Sequence, residues 1–340
     1  MESRGDRRSF FRQLLRESLS AVNEFRGSTD ERDAWSEPPP ESHDPDPAPH
    51  IAAPASRMAT PDDLPELAKE AGLEGRTEDL VRLARPSLRA TSRNNGRDER
   101  SLTRFGGAPD LPQGFAWPTH HGKLLSFVAQ IDLADWHGPL RPPSFPERGL
   151  LTFFTEPGPS VSVDDVGCQV VYFDQAPIEH GGPPPEAEIF TEYAVDLSYE
   201  LTIPDAWSFP AEPLELSEQE VAQWDEVRAL LAELQGLARD ELTSERLVVH
   251  RLLGYPESLG GDMELDVELG RWDEVAAKYS ETMVGGDLLE RARRWQLLFQ
   301  VSDDGAFRVS QHPRFGRLYF WIASTDLDAF RFDDVRAVVR

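Results

Sequence analysis

The chain uses cysteine once, at Cys168, so no disulfide can form within it and no zinc site can be built from paired thiolates. That thiol stands beside Val170-Val171-Tyr172-Phe173, a strand-like run, and reads as a small core residue. No apolar run approaches the roughly 20 residues needed to span a bilayer. Positive charge is scarce: 35 Lys and Arg face 61 Asp and Glu, a formal net charge of -26. Such a field repels nucleic-acid phosphates, so nucleic acid is not an expected partner, whereas a basic protein is. Also missing are a phosphate-binding loop, a Gly-x-Ser-x-Gly elbow, a dinucleotide fingerprint and a His-Glu-x-x-His helix. No cofactor is expected, and no residue is nominated as catalytic.

What is present is enough for a large core: 340 residues, 39% hydrophobic, with 18 Phe and 8 Trp to bury. The organisation is read as three parts. Residues 1–26 carry Phe10, Phe11, Leu14, Leu15, Leu19, Val22 and Phe25 at helical spacing, ringed by Arg4, Arg7, Arg8, Arg12 and Arg16. This is a basic amphipathic helix suited to docking on a partner, on an anionic membrane surface, or on the acidic body itself. Arg7-Arg8-Ser9-Phe10-Phe11-Arg12 resembles a twin-arginine export signal, but Gln13, Arg16, Glu17, Asn23 and Glu24 interrupt the apolar stretch that such a signal requires. A cytoplasmic location is therefore expected. Residues 27–60 are rich in Pro, Ser, Asp and Glu and are expected to be a disordered linker.

Residues 61–340 are expected to form one domain. A helical lead-in over 61–90 has Thr60 or Asp62 and then Thr77 as caps. The loop from Phe105 to Pro118 is stiffened by Pro109, Pro112 and Pro118, yet carries Leu111, Phe115 and Trp117, so it is either a lid on the core or a recognition surface. Strands are expected at 124–133, 148–154, 169–173, 295–301 and 315–321. A long acidic helix begins at a Ser217/Glu220 capping box, with Val221, Trp224, Val227, Leu231 and Leu234 on its apolar face. The segment around Gln300 repeats that around Gln130, and Gly316 repeats Gly149, which points to an internally duplicated strand–loop–strand unit. The fold class is α+β: a single large, mixed, sheet-rich domain with internal duplication.

Four blocks resemble the YwqG-like family, a bacterial domain of unknown function. They are Gly106-Gly107-Ala108-Pro109-Asp110-Leu111-Pro112 running to Trp117-Pro118; Leu124 to Leu133; Leu252-Leu253-Gly254-Tyr255-Pro256 followed by Gly261-Asp262-Met263; and Leu297-Leu298-Phe299-Gln300 with Gly316 to Ile322 and Asp326-Leu327. The chain departs from the family pattern at Leu259-Gly260-Gly261-Asp262, where a Gln usually precedes Gly-Asp. It departs again at Arg314-Phe315-Gly316-Arg317, where Trp-Gly-Asp is usual. The resemblance implies an α+β fold and no established activity.

Gln130 and Gln300 are the most suggestive polar positions, because each interrupts an apolar strand at matched places. A buried amide must find partners, so they either tie loops to the sheet or line a shared cleft. Trp117, Asp132 and Asp303 complete the candidate binding set. Asp132 and Asp303, with Asp135, Asp262 and Asp304, are also the carboxylates that a hydrolase-type chemistry would draw on. His120, His121 and His137 lack metal-ligand spacing. The leading expectation is a non-catalytic binding or protein-interaction module. A carboxylate-dependent hydrolase and a membrane-surface protein are the alternatives.

Overall fold

The computed structural model describes residues 57–92, 101–143, 145–157, 166–175, 182–237, 248–257, 263–269, 286–303 and 316–339. The basic helix expected over 1–26 lies outside them, as does the linker up to residue 56. The linker's expected end is corrected: Ala59 is fully buried and Thr60 forms a capping box with Asp63, so the last residues before 61 belong to the folded body.

Ten strands form one sheet. From edge to edge they are β12 (Arg336–Val339), β11 (Arg317–Ala323), β10 (Trp295–Ser302), β9 (His250–Leu253), β1 (Arg85–Ser92), β8 (Tyr193–Thr202), β2 (Arg104–Phe105), β5 (Ser126–Asp132), β6 (Leu150–Thr155) and β7 (Cys168–Phe173). A separate pair, β3 (Thr119–His120) and β4 (Lys123–Leu124), stands beside it. The α+β, sheet-rich class holds. The pairings described are all antiparallel. The reason is that β5–β6–β7 and β10–β11–β12 are meanders, whose strands reverse direction at each connection.

The sheet curls until its edges almost meet. Val166 bridges to Ala337, and the Cys168 thiol lies 3.4 Å from the Val335 carbonyl oxygen. Inside are Leu88, Phe105, Ile131, Phe153, Phe299, Phe320 and their neighbours. Phe153 stands 4.6 Å from Phe299 and 5.2 Å from Phe320, ring centre to ring centre. The interior is thus a packed core rather than a channel.

Among the described residues six helices accompany the sheet: α1 (Leu64–Glu70), α2 (Thr77–Leu83), α3 (Glu218–Leu234), α4 (Met263–Leu269), α5 (Gly286–Ala292) and α6 (Ser324–Asp328). The second helix ends at Leu83, ahead of Pro86, which cannot continue a helix, and Leu88 and Ala90 alternate inward on β1. Thr77 opens α2 rather than capping it; its hydroxyl donates to the Glu74 carbonyl. Ser217 and Glu220 do form the capping box of α3. That helix buries Val221, Trp224, Val227 and Leu231 against Leu64, Ala68 and Leu80 of the first two helices and against Leu201 and Ile203 at the end of β8.

Candidate functional site

The two glutamines sit at matched places, and each centres a buried polar nest. On β5, Gln130 pairs in register with Arg104 and Thr152; on β10, Gln300 pairs with Arg251 and Tyr319. Each follows a register shift two residues earlier, at Val128 and at Leu298. In the first nest Gln130 Oε1 accepts from the Asp110 amide at 2.8 Å, and its Nε2 donates to the Leu102 carbonyl at 2.6 Å. In the second, Gln300 Oε1 accepts from the Glu257 amide at 3.0 Å, and its Nε2 donates to the Val249 carbonyl at 3.1 Å. Arg104 pairs with Asp110 at 2.9 Å, and Arg251 reaches Glu257 at 3.5 Å. In both nests the acid follows its arginine by six residues.

The backbone repeats as well. Gly106 and Gly107 leave β2 with φ of +60° and +72°; Leu253 and Gly254 leave β9 with +61° and +74°. A Cβ on Gly106 would lie 2.1 Å from the Thr191 carbonyl oxygen. The Asp132 amide donates to the Thr103 hydroxyl and the Ser302 amide to His250 Nδ1, while Leu133 N bonds Gly149 O and Asp303 N bonds Gly316 O.

The second nest is larger. Glu200, buried on β8, binds Arg251, Arg89 and the Ser87 hydroxyl. Burial alone would push its carboxyl up, but the two guanidiniums pull it down to about 2. Glu257 also lies 3.7 Å from Arg228 of α3. Arg104, Gln130, Glu200, Arg251 and Gln300 are all buried. These residues tie loops and strands together.

The remaining candidates do not converge on one cleft. Trp117 packs edge-on against Phe154 at 5.4 Å and donates its indole N–H to the Leu125 carbonyl. With Leu111 and Phe115 it makes the Pro/Gly loop a lid over the outer face of β5 and β6. On the other half α4 covers the equivalent face through Met263 and Val267. Asp132 caps a short turn by accepting from the Ala134 amide, and burial raises its carboxyl pKa. Asp303 follows β10, which four strands separate from β5 in the sheet order. Asp132 therefore corresponds to Ser302, not to Asp303. Asp135 accepts from the Thr103 hydroxyl at 2.6 Å. Asp262 and Asp304, the altered Gly260-Gly261-Asp262 and Arg314-Phe315 positions, and Arg7, Arg8, Phe10, Phe11, Leu14 and Leu15 of the docking helix lie outside the described residues.

A cavity of about 180 Å³ opens at the seam, lined by His120, Gly167, Cys168, Asp266 and residues 333–338 among others. It occupies the place where the two halves meet. His120 comes from the side of the first lid and Asp266 from the second. Among the described residues no group of three His, Cys, Asp or Glu is placed to hold a metal ion, and no helix is long and apolar enough to cross a membrane.

A family model described as a domain of unknown function, DUF1963, matches residues 103–339. The chain belongs to the DUF1963 family. A comparison with curated proteins gives no match. The DUF1963 match takes in both nests, both lids and the seam, but begins after β1, which supplies Arg89 and Ser87 to the second nest. Reading the sequence for chemistry missed Arg104, Arg251, Asp110, Glu257 and Glu200. One signal was available for the first four: Arg104-Phe105-Gly106-Gly107 and Arg251-Leu252-Leu253-Gly254, each with an acid six residues beyond its arginine.

Proposed function

We propose that this DUF1963 domain is a non-catalytic protein-interaction module that recognises a basic partner through its acidic surface. The observation that carries this reading is the commitment of the buried polar groups: Gln130 and Gln300, with both arginines, are bonded internally in both nests. Side chains so engaged hold a scaffold rigid. The surface around that scaffold belongs to a chain with a net charge of -26, and complementary charge steers association with a cationic partner. The repeated bonding pattern also supports descent of the two halves from one duplicated unit in a YwqG-like ancestor. The hydrolase alternative gains nothing from the placement of Asp132 on β5 and Asp303 just after β10, with four strands between them.

The test is a titration of the full chain with a labelled arginine-rich peptide and its citrulline counterpart, at about 50 and about 500 mM salt. Saturable, salt-sensitive binding of the arginine form alone is expected. Equal binding of both peptides, or of neither, overturns the proposal. The seam cavity supports a second reading, a small-ligand site between the halves, to be followed at the Gly167 and Val335 amides during a fragment screen. The membrane-surface reading of residues 1–26 is checked by co-sedimenting the full chain with anionic vesicles.

A further inference from the structure

The floor of the seam cavity is β12. Ala337 there joins the core, and Val338 packs with Val267 under α4. Arg336 alternates with Ala337 and pairs in register with Trp321, so it stands on the outer face with the α4 lid. One wall is Asp266 and Val267 of α4, and the other is His120 of β3 with Gly167 and Cys168 leading into β7. At about 180 Å³ the space is smaller than the roughly 300–1,000 Å³ of sites for drug-sized molecules, so its occupant has few heavy atoms.

Most polar groups around it are committed. His120 Nδ1 lies 3.8 Å from Glu156, and the His120 and His121 rings stand 4.0 Å apart. Glu156 also accepts from the Gly167 amide at 3.4 Å. The Cys168 thiol is held by the Val335 carbonyl, Asp266 has a partner of its own, and Asp334 takes Arg336 Nη2 at 2.7 Å. Two groups differ. Arg336 Nε–H is buried and meets no acceptor among the described residues. Asp333 is exposed and in no ion pair among them. A buried donor without an acceptor is costly, and a ligand oxygen would remove that cost.

These two groups select the ligand's chemistry. A carboxylate gives Nε–H a charge-assisted acceptor, but a plain carboxylate would also meet Asp266, Asp333 and Asp334, all of its own sign. A plain amine would suit Asp333 and leave Nε–H unmet. A compact molecule carrying both charges satisfies each group. We infer that the seam cavity binds a free α-amino acid, its carboxylate on Arg336 Nε–H and its ammonium group toward Asp333. This rests on the second reading above, a small-ligand site between the halves, and names the ligand. Among the described residues one backbone bridge, Val166 to Ala337, joins the two edges, so a ligand held between the walls also tightens the seam.

The test titrates the full chain, isotope-labelled, with each common amino acid at millimolar concentration. At least one is expected to give saturable shifts at the Gly167, Val335 and Ala337 amides and to raise the thermal midpoint. Its N-acetyl derivative and its carboxamide, each lacking one charged end, are expected to bind the wild-type chain at least about ten-fold more weakly. Arg336→Lys, which keeps a cation for Asp334 but loses the guanidinium Nε–H, and Asp333→Asn are each expected to weaken binding about five-fold or more. Equal binding of the capped forms, unchanged affinity in either variant, or shifts centred away from the seam overturn the amino-acid assignment. If a fragment screen still shifts the seam amides, the small-ligand reading stands without it. Shifts at the seam from neither amino acids nor fragments overturn both.

Discussion

The two halves of the sheet carry the same nest with different reserves. The first, around Arg104, joins Asp110 to the Arg104 guanidinium and the Gln130 amide. The second, around Arg251, spreads outward, since Glu200 keeps Arg89 and Ser87 beside it and Glu257 reaches Arg228 on α3. Removing one partner of a buried ion pair strands the other charge, at a cost of about 3–5 kcal/mol. Arg104→Met should therefore cost about that much, because it removes the buried guanidinium that pairs with Asp110 at 2.9 Å. Arg251→Met should cost less, because Arg89 still answers Glu200. Urea unfolding of the two variants measures this, and equal losses would show that the second nest has no reserve.

The turn that leaves each nest sharpens the comparison. Both turns use two successive positive-φ residues, but the second half places Leu253 where the first has Gly106. A side chain at positive φ costs roughly 1–2 kcal/mol. Leu253 offsets that strain by burial in the core, at 4% exposure. Gly106 has no such room, with Thr191 O 2.1 Å from a built Cβ. Gly106→Ala is expected to lose at least about 3 kcal/mol, strain and overpacking together, in the same unfolding assay. A loss below about 1 kcal/mol would mean that the segment carrying Thr191 yields easily.

Much of this was legible before the structure, and the limits have physical causes. Helix α3 announced itself through Ser217, Glu220 and its apolar spacing. The matched glutamines were visible because an amide inside an apolar strand is conspicuous. The central strands β1 and β8 were not read, although β8 alternates cleanly: Val195, Leu197, Tyr199 and Leu201 on one face, Asp196, Ser198 and Glu200 on the other. β1 is harder, since Pro86 and two arginines disguise an eight-residue strand. The nests themselves depend on pairing across more than a hundred residues, as in Ser87 with Glu200, which local pattern cannot report. The closing of the seam is likewise a property of the whole sheet's curl.

Glu200 offers a comparison across pH. Its folded carboxyl titrates at about 2, well below the ordinary 4.5. A depressed pKa contributes stability that is complete above the unfolded value and is lost as pH falls through the folded one. The contribution should therefore be present above about pH 4.5 and fade toward pH 2, amounting to roughly 3 kcal/mol at neutral pH. Glu200→Gln should be less stable than wild type at pH 6, and the gap should close on acidification. A gap independent of pH would assign the loss to packing rather than to the ion pairs.

The smallest effect is expected where the halves differ by one polar atom. Trp321 on β11 occupies the place that Phe154 holds on β6, as the pairings with Leu297 and Phe127 show. The Trp321 ring is fully buried among Met263, Val267 and Tyr319, and its indole N–H has no hydrogen-bond partner among the described residues. An unsatisfied buried donor costs about 1–3 kcal/mol. Trp321→Phe removes that donor and, against it, leaves a cavity the size of the missing ring, whose cost is of similar magnitude. The two should nearly cancel, giving a change within about 1 kcal/mol by thermal unfolding. A large loss would show that the indole N–H is satisfied in solution, by water or by a neighbour, and that Trp321 holds the α4 lid by more than its size.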